Sequence, residues 1–338
     1  MSVLEQDRRW RLAGGLLLVS GVGLLAGLIT GSEGWRLSGL GELFDPDQAL
    51  IVWQIRAPRT LGAWLVGALF GLAGALAQGL FRNPLADPYL LGSASGASLG
   101  VVVVLAGSGW MGAAFGVEAA EVLGRVGLVG AAFGGALLGV LLTLLLSRGA
   151  QHTTRLLLAG VVVGVVLGAM NDLVTMISPD ALRGKQAFLL GSTGFLGWPS
   201  VALLLLTLLF TLPLAWRMAR VLDALSLGEE SAASLGLNLP RWRAALVVLL
   251  ALATGTAVAQ AGLVAFVGLV APHLVRRFVH AAHGFRLVAS AAMGGALLLW
   301  ADVLARTVIA PQELPVGVLT AVLGGCYLLW LLRRRRLA

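Results

Sequence analysis

The chain has 338 residues, of which 58% are hydrophobic and only 40 are Lys, Arg, Asp or Glu. Nearly all of these charges lie between apolar runs of about 20 residues, the length that spans the hydrocarbon core of a bilayer. Because the runs have no polar face, the composition excludes a soluble globular protein. The net charge of +8 is explained by the loops of a membrane protein, so we do not expect a nucleic-acid partner.

The sequence predicts an all-α polytopic membrane protein, with one transmembrane permease domain over residues 1–338. The ten predicted spans, in chain order, are 12–31, 60–81, 90–107, 126–146, 156–177, 200–217, 244–262, 264–280, 287–305 and 316–332. The first span follows a basic start (Arg8, Arg9 and Arg11) without a convincing small-residue cleavage site. We therefore expect a retained anchor helix rather than a signal peptide.

An even number of spans places both termini on the same side of the membrane. The segments on that side are the N-terminus, 82–89, 147–155, 217–243, 276–286 and the tail at 333–336. They hold 17 of the 24 basic residues. Because cytoplasmic loops carry the excess of Lys and Arg, the sequence predicts that both termini are cytoplasmic.

A faint internal repeat relates two of the spans at a constant offset of 182 positions. Pro58-Arg59 to Ala77-Gln78 matches Pro240-Arg241 to Ala259-Gln260. The first copy begins outside and the second begins inside, so we expect an inverted repeat with halves of about 1–199 and about 200–338. In transporters this arrangement places a pathway between the halves.

Two connections contain apolar or amphipathic stretches. Residues 178–199 are interpreted as a short external helix that dips into a mouth of the protein. The longest internal connection, 218–243, has two amphipathic stretches that Gly228 and Gly236 punctuate, as helix ends often are. This spacing favours two short helices that lie along the membrane face and are offered to a cytoplasmic partner, with a solvated loop as the alternative.

Glycines recur at every fourth position in several spans. The members are Gly67 and Gly71; Gly92, Gly96 and Gly100; Gly130 and Gly134; and Gly160, Gly164 and Gly168. Such stripes let helix backbones approach closely in a membrane. Packing within the chain is the favoured interpretation, and a subunit interface or a sliding helix is the alternative.

The sequence contains no motif that predicts a catalytic, ATP-hydrolysing or metal-binding site. The only lysine, Lys185, is followed by Gln186, so the Gly-Lys-Ser/Thr of a Walker A motif is missing. We therefore expect no catalytic residues and no ATPase site. His280 and His283 are predicted to share a helix face, but neither Cys326 nor a nearby acidic cluster completes a metal site, so none is expected.

Two acidic residues fall within predicted spans, where a charge is costly and hints at function. Asp172 follows Asn171 in the fifth span, and Asp302 precedes Arg306 by one helical turn and could pair with it. Two isolated acids are thin support for an ion-coupled carrier, which stays as an alternative. With no ATPase and no dense ion site, energy most simply comes from a partner.

Five motifs, taken in order, resemble the permease subunits of bacterial ABC importers for iron-siderophores, haem and cobalamin, the FecCD-type or type II permeases. They are Arg56-Ala57-Pro58-Arg59; Arg82-Asn83-Pro84-Leu85-Ala86-Asp87-Pro88; Phe266-Val267-Gly268-Leu269-Val270-Ala271-Pro272-His273; Ala301-Asp302 with Arg306; and Glu313-Leu314-Pro315-Val316-Gly317 with Gly324. The resemblance covers essentially the whole chain.

The resemblance implies a homodimer in a bacterial inner membrane with the pathway at the subunit interface. It implies two cytoplasmic ATP-binding subunits, which would hold the ATP and Mg, and a periplasmic substrate-binding protein. No cofactor is expected on this chain itself.

The resemblance also implies roles for individual residues. Docking of the binding protein falls to Arg56, Arg59 and Arg306, although Arg56 and Arg59 could instead anchor a helix at the headgroups. Coupling to the ATPase falls to Ser226, Gly228, Glu229, Glu230, Ala233 and Gly236. The gate corresponds to Asn83, Leu85, Thr153 and Thr154, and the pathway to Gly164, Gly168 and Asn171.

The substrate is not encoded in any residue set of this chain. An iron chelate, either a ferric siderophore or haem, is the expected cargo, with cobalamin or molybdate as alternatives. A membrane scaffold that transports nothing is the remaining alternative from a different class.

Overall fold

The computed structural model describes residues 3–31, 46–115, 117–147 and 153–335. Helices make up nearly all of this part of the chain. Their bounds are α1 (Val3–Ile29), α2 (Pro46–Ile51), α3 (Ala57–Leu80), α4 (Ser93–Phe115), α5 (Val117–Leu146), α6 (Thr153–Ile177), α7 (Pro179–Leu190), α8 (Trp198–Arg217), α9 (Ala219–Ser226), α10 (Glu229–Ser234), α11 (Leu239–Ala261), α12 (Val267–Phe278), α13 (His283–Thr307) and α14 (Val316–Arg335). A π-helical turn, Val52–Arg56, joins α2 to α3, and a 3-10 turn, Pro88–Leu91, precedes α4.

Seven of the described helices are long and apolar enough to cross a membrane, and they match seven of the predicted spans. Shorter apolar stretches, Ser93–Gly107 and Val316–Leu331, match two more. The predicted span 264–280 contains only the 12-residue α12. A helix of that length rises about 18 Å, which is less than the thickness of a bilayer core.

Helix α3 is the centre of the molecule. Its most apolar stretch is 89% buried, whereas those of α1, α5 and α6 are 28% buried, as expected for helices that face lipid or another subunit. Close packing with α13 explains two of its glycines: a Cβ at Gly67 would lie 2.2 Å from the Gly294 oxygen, and one at Gly71 would lie 2.1 Å from the Ser290 oxygen. These glycines therefore serve packing within the chain.

The chain between α11 and α12 is not helical, and protein surrounds it. The Tyr89 hydroxyl donates to the Val264 carbonyl at 3.1 Å and accepts from the Val264 amide at 3.3 Å. The Leu263 amide donates to the carbonyl of Phe188 at the end of α7. Non-helical backbone within a membrane protein needs such internal partners, because lipid offers none.

The connection 178–199 contains the predicted short helix, α7. Ser178 caps its first turn by accepting from the Ala181 amide. After α7 the Ser192 amide donates to the Ala261 carbonyl at 2.8 Å, so this connection reaches the end of α11. The connection 218–243 likewise contains the two predicted short helices, α9 and α10.

Contacts between helix ends define two faces. On the N-terminal face, Arg9 lies over the Phe285 ring at 5.7 Å, His283 contacts Asp223, and Glu229 contacts Arg82. On the opposite face, here called the distal face, Arg59 near the start of α3 contacts the end of α13 and the connection 308–315.

Candidate functional site

A cluster of charged side chains lies at the distal face. The distal cluster consists of Arg59, Thr193, Asp302, Arg306 and Glu313. Arg59 Nε donates to Asp302 Oδ1 at 3.1 Å, and Arg59 Nη1 lies 2.9 Å from the Glu313 carboxylate. The Thr193 hydroxyl also donates to Asp302. The cluster therefore joins α3, the segment after α7, α13 and the connection that follows α13.

Asp302 and Arg306 form the buried part of the distal cluster, and the pair expected from their spacing is confirmed. Their side chains are 0% and 2% exposed. Arg306 also donates to the carbonyls of Gly27 and Thr30 at 3.1 and 3.3 Å. Each of these charges would be costly alone in an apolar interior, and the pairing with further hydrogen bonds offsets that cost.

The three predicted docking arginines differ in accessibility. Arg306 is buried, the Arg59 side chain is 12% exposed, and Arg56 is half-buried with Nη1 3.5 Å from the Leu28 carbonyl. Glu313, at 38% exposure, is the most open charged group of the distal cluster. An incoming carboxylate would therefore meet Arg59 already paired with Glu313, and docking by these residues stays a prediction.

A second cluster lies at the N-terminal face around Glu229, the first residue of α10. Its carboxylate lies 2.6 Å from Arg243 Nη2, near the start of α11, and 3.6 Å from Arg82 Nη2, just after α3. The Arg243 side chain is only 2% exposed. We call Arg82, Glu229 and Arg243 the coupling cluster, because it connects α10 to two long helices.

The rest of the predicted coupling segment is presented outward. In α10 only Ala232 is buried. Exposed residues are Ser226, Glu230, Ala233 and Gly236, together with Leu227 at 70% and Leu235 at 65% exposure. Gly228 and Gly236, predicted to end helices, have φ of 115° and 77°, a region that favours glycine. Leu227 and Leu235 thus lie exposed just before and just after α10.

Asp223 in α9 fixes the start of α13. Its Oδ1 accepts from the His283 amide at 3.0 Å and lies 2.6 Å from His283 Nδ1. The prediction that His280 and His283 share a helix face is wrong, because residues 279–282 are not helical. Within the part of the chain that the structure describes, no group of His, Cys, Asp and Glu is arranged to hold a metal ion.

The predicted gate residues Asn83 and Leu85 lie in a tight turn after α3. Asn83 Oδ1 accepts from the Leu85 amide at 2.9 Å, and both side chains are exposed. Arg82, the first residue of the turn, has a backbone φ of 50°, which is uncommon for residues other than Gly and Asn. Thr154 is exposed at the start of α6, while the Thr153 side chain lies outside the described residues.

Asp87 and Tyr89 close this turn on the side of α4. Asp87 Oδ1 accepts from the Tyr89 amide at 2.8 Å and so caps the 3-10 turn. Burial raises the pKa of Asp87 to about 6, although the hydrogen bond from Tyr89 acts in the opposite direction. Tyr89 in turn holds the non-helical Val264. The predicted gate turn is therefore joined by Tyr89 to the segment before α12, and it is joined to α12 itself by Arg276 Nη2, which donates to the Pro84 carbonyl at 3.3 Å.

The predicted pathway residues on α6 do not share one surface. A Cβ at Gly168 would meet nothing within 4 Å, and one at Gly164 would meet only Ser95 Oγ at 3.8 Å. Asn171 is 4% exposed, and its Nδ2 donates to Ser98 Oγ in α4 at 2.7 Å. The two glycines therefore face open space, whereas Asn171 faces the interior.

Asp172 lies at the exposed end of α6. Its carboxylate is 73% exposed and lies 2.5 Å from Lys185 Nζ in α7. Both acidic residues that the sequence places within spans are thus paired with basic side chains.

Sequence reasoning missed several contacts of the candidate site, and all of them join distant parts of the chain. Arg243 is one of two basic residues near the start of α11, where the sequence indicates only orientation, and Arg82 opens a quoted motif that does not show its contact with Glu229. Thr193 is uncharged and belongs to none of the motifs quoted above. Tyr89 is one of only two tyrosines, and its place beside the quoted Asp87-Pro88 motif is the one signal that could have marked it.

Comparisons with known proteins agree with this fold. A model of the FecCD transport family matches residues 16–334. The vitamin B12 import system permease protein BtuC of Shigella boydii serotype 18 is 39% identical over 334 residues, which are 98% of this chain and 97% of that protein. The hemin transport system permease protein HmuU of Yersinia pestis is 40% identical over 289 residues, 84% of each chain.

A solved structure has the same fold. It is described as an inward-facing conformation of a metal-chelate type ABC transporter, and it superimposes with a TM-score of 0.84 at 26% identity. The match covers 96% of this chain and 99% of that one. The ordered motifs, the helical membrane fold and these matches agree: the chain belongs to the FecCD transport family and is an ABC importer permease.

Proposed function

We propose that this chain is the membrane subunit of an ATP-driven importer that carries a metal chelate into the cytoplasm of a bacterium. It works as a homodimer with two ATP-binding subunits and a periplasmic substrate-binding protein. The ATP and Mg are held by the ATP-binding subunits. The N-terminal face is cytoplasmic, because the segments on that side carry most of the basic residues.

The coupling cluster is the observation that carries this proposal. Glu229 begins the exposed helix α10 and contacts both Arg243 and Arg82. A partner seated on Leu227, Leu235 and the outer surface of α10 would therefore act on α11 and on the gate turn through one carboxylate. An exposed helix that is tied to two spanning helices suits a permease that a separate ATPase drives.

The gate turn has the contacts that such a movement would act on. Arg82 is strained at φ 50°, and Phe266, which precedes α12, is strained at φ 67°. Non-glycine residues in this region cost of the order of 1–3 kcal/mol each and cluster at sites that switch. In the proposed cycle, movement of α10 changes the Arg82 turn, and Tyr89 passes the change to Val264.

The distal cluster is the proposed contact for the binding protein. Arg59 and Arg56 lie at the start of α3 on the distal face, and an Arg fork pairs well with a carboxylate. Glu313 occupies part of that fork in the absence of a partner. Docking would exchange Glu313 for a carboxylate of the binding protein, while the buried Asp302–Arg306 pair keeps the helices in place.

The open surface of α6 is the proposed homodimer surface and pathway wall. Its exposed side includes Val161, Val165 and Leu173 beside the open positions Gly164 and Gly168. This surface is apolar and has small residues, which suits both helix association in a membrane and a smooth wall that binds the cargo weakly.

The proposed cargo is an iron chelate, a ferric siderophore or haem, and cobalamin is the second candidate. A relative named for hemin transport and relatives named for vitamin B12 import have nearly equal identity to this chain. Specificity then lies with the binding protein. The test is to purify that protein with the permease from the native membrane and identify its bound ligand by mass spectrometry.

An ion-coupled carrier is the competing function. It requires Asp172 or Asp302 to exchange protons or ions, yet both are paired with basic side chains. Uptake into cells distinguishes the two functions: an uncoupler that collapses the ion gradient should leave uptake intact, and depletion of ATP should stop it. The opposite pattern, together with loss of uptake in Asp172→Asn, would establish the carrier.

A further inference from the structure

A groove between α1 and α13 lies apart from both clusters. It opens toward the N-terminal face and has a volume of about 690 Å³. Its walls are apolar and include Leu12, Leu16, Met293 and Leu297, while Arg8 and Arg11 line its mouth.

The groove lies on one side of the contact between α1 and α13. A Cβ at Gly23 would lie 2.8 Å from the Leu299 side chain, so α1 and α13 are in close contact there. Two turns earlier, at Gly15, an added Cβ would meet nothing within 4 Å. The groove therefore runs along the Gly15 side of α1 from this contact toward Arg11 and Arg8, while Leu16 stays in a buried cluster with Ala289 and Met293 of α13.

The deep end of the groove is closed. The Trp300 indole donates to the Val19 carbonyl at 3.1 Å, and both residues line the groove. From Arg8 to Val19 the helix rises about 17 Å, because each residue adds 1.5 Å. One leaflet contributes about 15 Å to a hydrocarbon core that is about 30 Å thick. The length of the groove thus matches the thickness of the hydrocarbon layer of one leaflet.

The mouth is positively charged. Arg8 and Arg11 are both exposed. The acidic residues described in the same part of α1 are Glu5, one turn before Arg8, and Asp7, which lies 2.7 Å from Arg11. Such an exposed pair contributes little and can be exchanged for another anion. Arg9 adds a third basic group over the Phe285 ring.

We propose that this groove binds one anionic phospholipid of the leaflet that meets the N-terminal face. Arg8 and Arg11 hold the headgroup phosphate, and an acyl chain lies along Leu12, Leu16, Met293 and Leu297 as far as Trp300. A zwitterionic lipid has the same chain but a neutral headgroup, so the arginines select the anionic one. The site does not depend on the proposed transport function.

The test uses the purified full-length protein in detergent micelles. Native mass spectrometry measures binding of dioleoyl phosphatidylglycerol and of dioleoyl phosphatidylcholine to the wild type and to two variants. Gly15→Leu fills the groove, and Gly14→Leu is its control because Gly14 also has open space around it but does not line the groove. Arg8→Gln with Arg11→Gln removes the headgroup contacts, and Arg217→Gln with Arg220→Gln removes the same charge elsewhere on the N-terminal face.

We expect the wild type to prefer phosphatidylglycerol by about tenfold, since each basic group near an anionic headgroup contributes about 1 kcal/mol and the nearby acids Glu5 and Asp7 offset part of this. The Arg8 and Arg11 double variant should lose this preference, and Gly15→Leu should weaken binding of both lipids. Gly14→Leu and the Arg217 and Arg220 double variant should behave as the wild type.

Equal binding of the two lipids by the wild type would overturn the proposal. So would an unchanged preference after removal of Arg8 and Arg11, even if Gly15→Leu could not be purified. Equal effects of Gly14→Leu and Gly15→Leu would also overturn it, because the lipid would then lie on α1 outside the groove.

Discussion

Glu229, at the start of an exposed six-residue helix, lies 2.6 Å from Arg243, whose side chain is 2% exposed near the start of α11. A six-residue helix has too few backbone hydrogen bonds to be stable alone. This ion pair, together with burial of Ala232, therefore holds α10 against the transmembrane helices. The contact gives a force on α10 a direct route to α11.

Glu229→Gln should uncouple transport from ATP hydrolysis. The change removes the ionic part of the contact with Arg243 and Arg82, which we expect to be worth about 2 kcal/mol. The complex should still assemble, but ATPase stimulation by the binding protein and uptake should both fall strongly. Asp7→Asn is the matched control, because Asp7 is an exposed acid of the same face that lies in α1 and not in the coupling segment.

Uptake by the Glu229→Gln variant at the wild-type rate would show that α10 acts through other contacts. The stronger double reversal, Glu229→Arg with Glu230→Arg, should abolish uptake while leaving the protein in the membrane. Normal transport by that variant would count against a driven permease altogether.

Asp302→Ala should destabilise the folded protein by about 3–5 kcal/mol, because it leaves the guanidinium of Arg306 buried without its carboxylate. Replacing both partners, Asp302→Leu with Arg306→Met, should restore much of the loss. Thermal unfolding in detergent measures both variants. If the double variant were as unstable as the single one, the buried pair would not be the reason for the effect.

Glu313→Gln should strengthen docking of the binding protein by up to about fivefold at low salt, since an exposed pair is worth at most about 1 kcal/mol. The physical reason is that Arg59 loses a competing carboxylate. Arg56→Glu should weaken docking, and salt should reduce both effects by screening. Surface plasmon resonance at two ionic strengths measures the affinity of the binding protein for each variant. If neither change alters this affinity, these residues only anchor the helix at the headgroups and take no part in docking.

Asp87→Asn should remove a pH dependence of stability. The pKa of Asp87 is raised to about 6 from an ordinary value of 3.8, so the folded state keeps the proton where the unfolded chain has released it. Stability from this group is present at low pH and is lost as the pH rises through about 6. The melting temperature of Asp87→Asn should therefore exceed that of the wild type more at pH 7.5 than at pH 5.

The Asn side chain can still accept from the Tyr89 amide, so the cap is retained. A difference between variant and wild type that is the same at both pH values would contradict the assignment. Glu230→Gln, a change at an exposed acid of the same face, controls for the general effect of lowering negative charge.

Local patterns predict the spans well because lipid leaves few alternatives for the backbone. The apolar runs correspond to helices such as α6 and α13, and the glycine punctuation of 218–243 corresponds to α9 and α10. The span 264–280 is the exception. Its first residues, 264–266, are apolar but not helical, and Tyr89, distant in sequence, satisfies both backbone groups of Val264.

The candidate site is less predictable, because most of its contacts join residues that are distant in sequence. The spacing of Asp302 and Arg306 predicts their pairing, since both lie on one helix. Nothing local shows that Arg59 comes from another helix to share Asp302, or that Arg243 lies under Glu229. Position along the chain also suggests that Asn171 shares the open side of Gly164 and Gly168, whereas its amide bonds Ser98 within the protein.

The most direct test of the account is reconstitution in vesicles. The purified chain alone should not accumulate an iron chelate or cobalamin against a gradient, with or without an imposed ion gradient. Adding the ATP-binding subunits, the loaded binding protein and ATP should produce accumulation that stops when ATP is withheld. Uphill accumulation by the chain alone, driven by a proton or sodium gradient, would contradict the claim that this permease is a conduit that others drive.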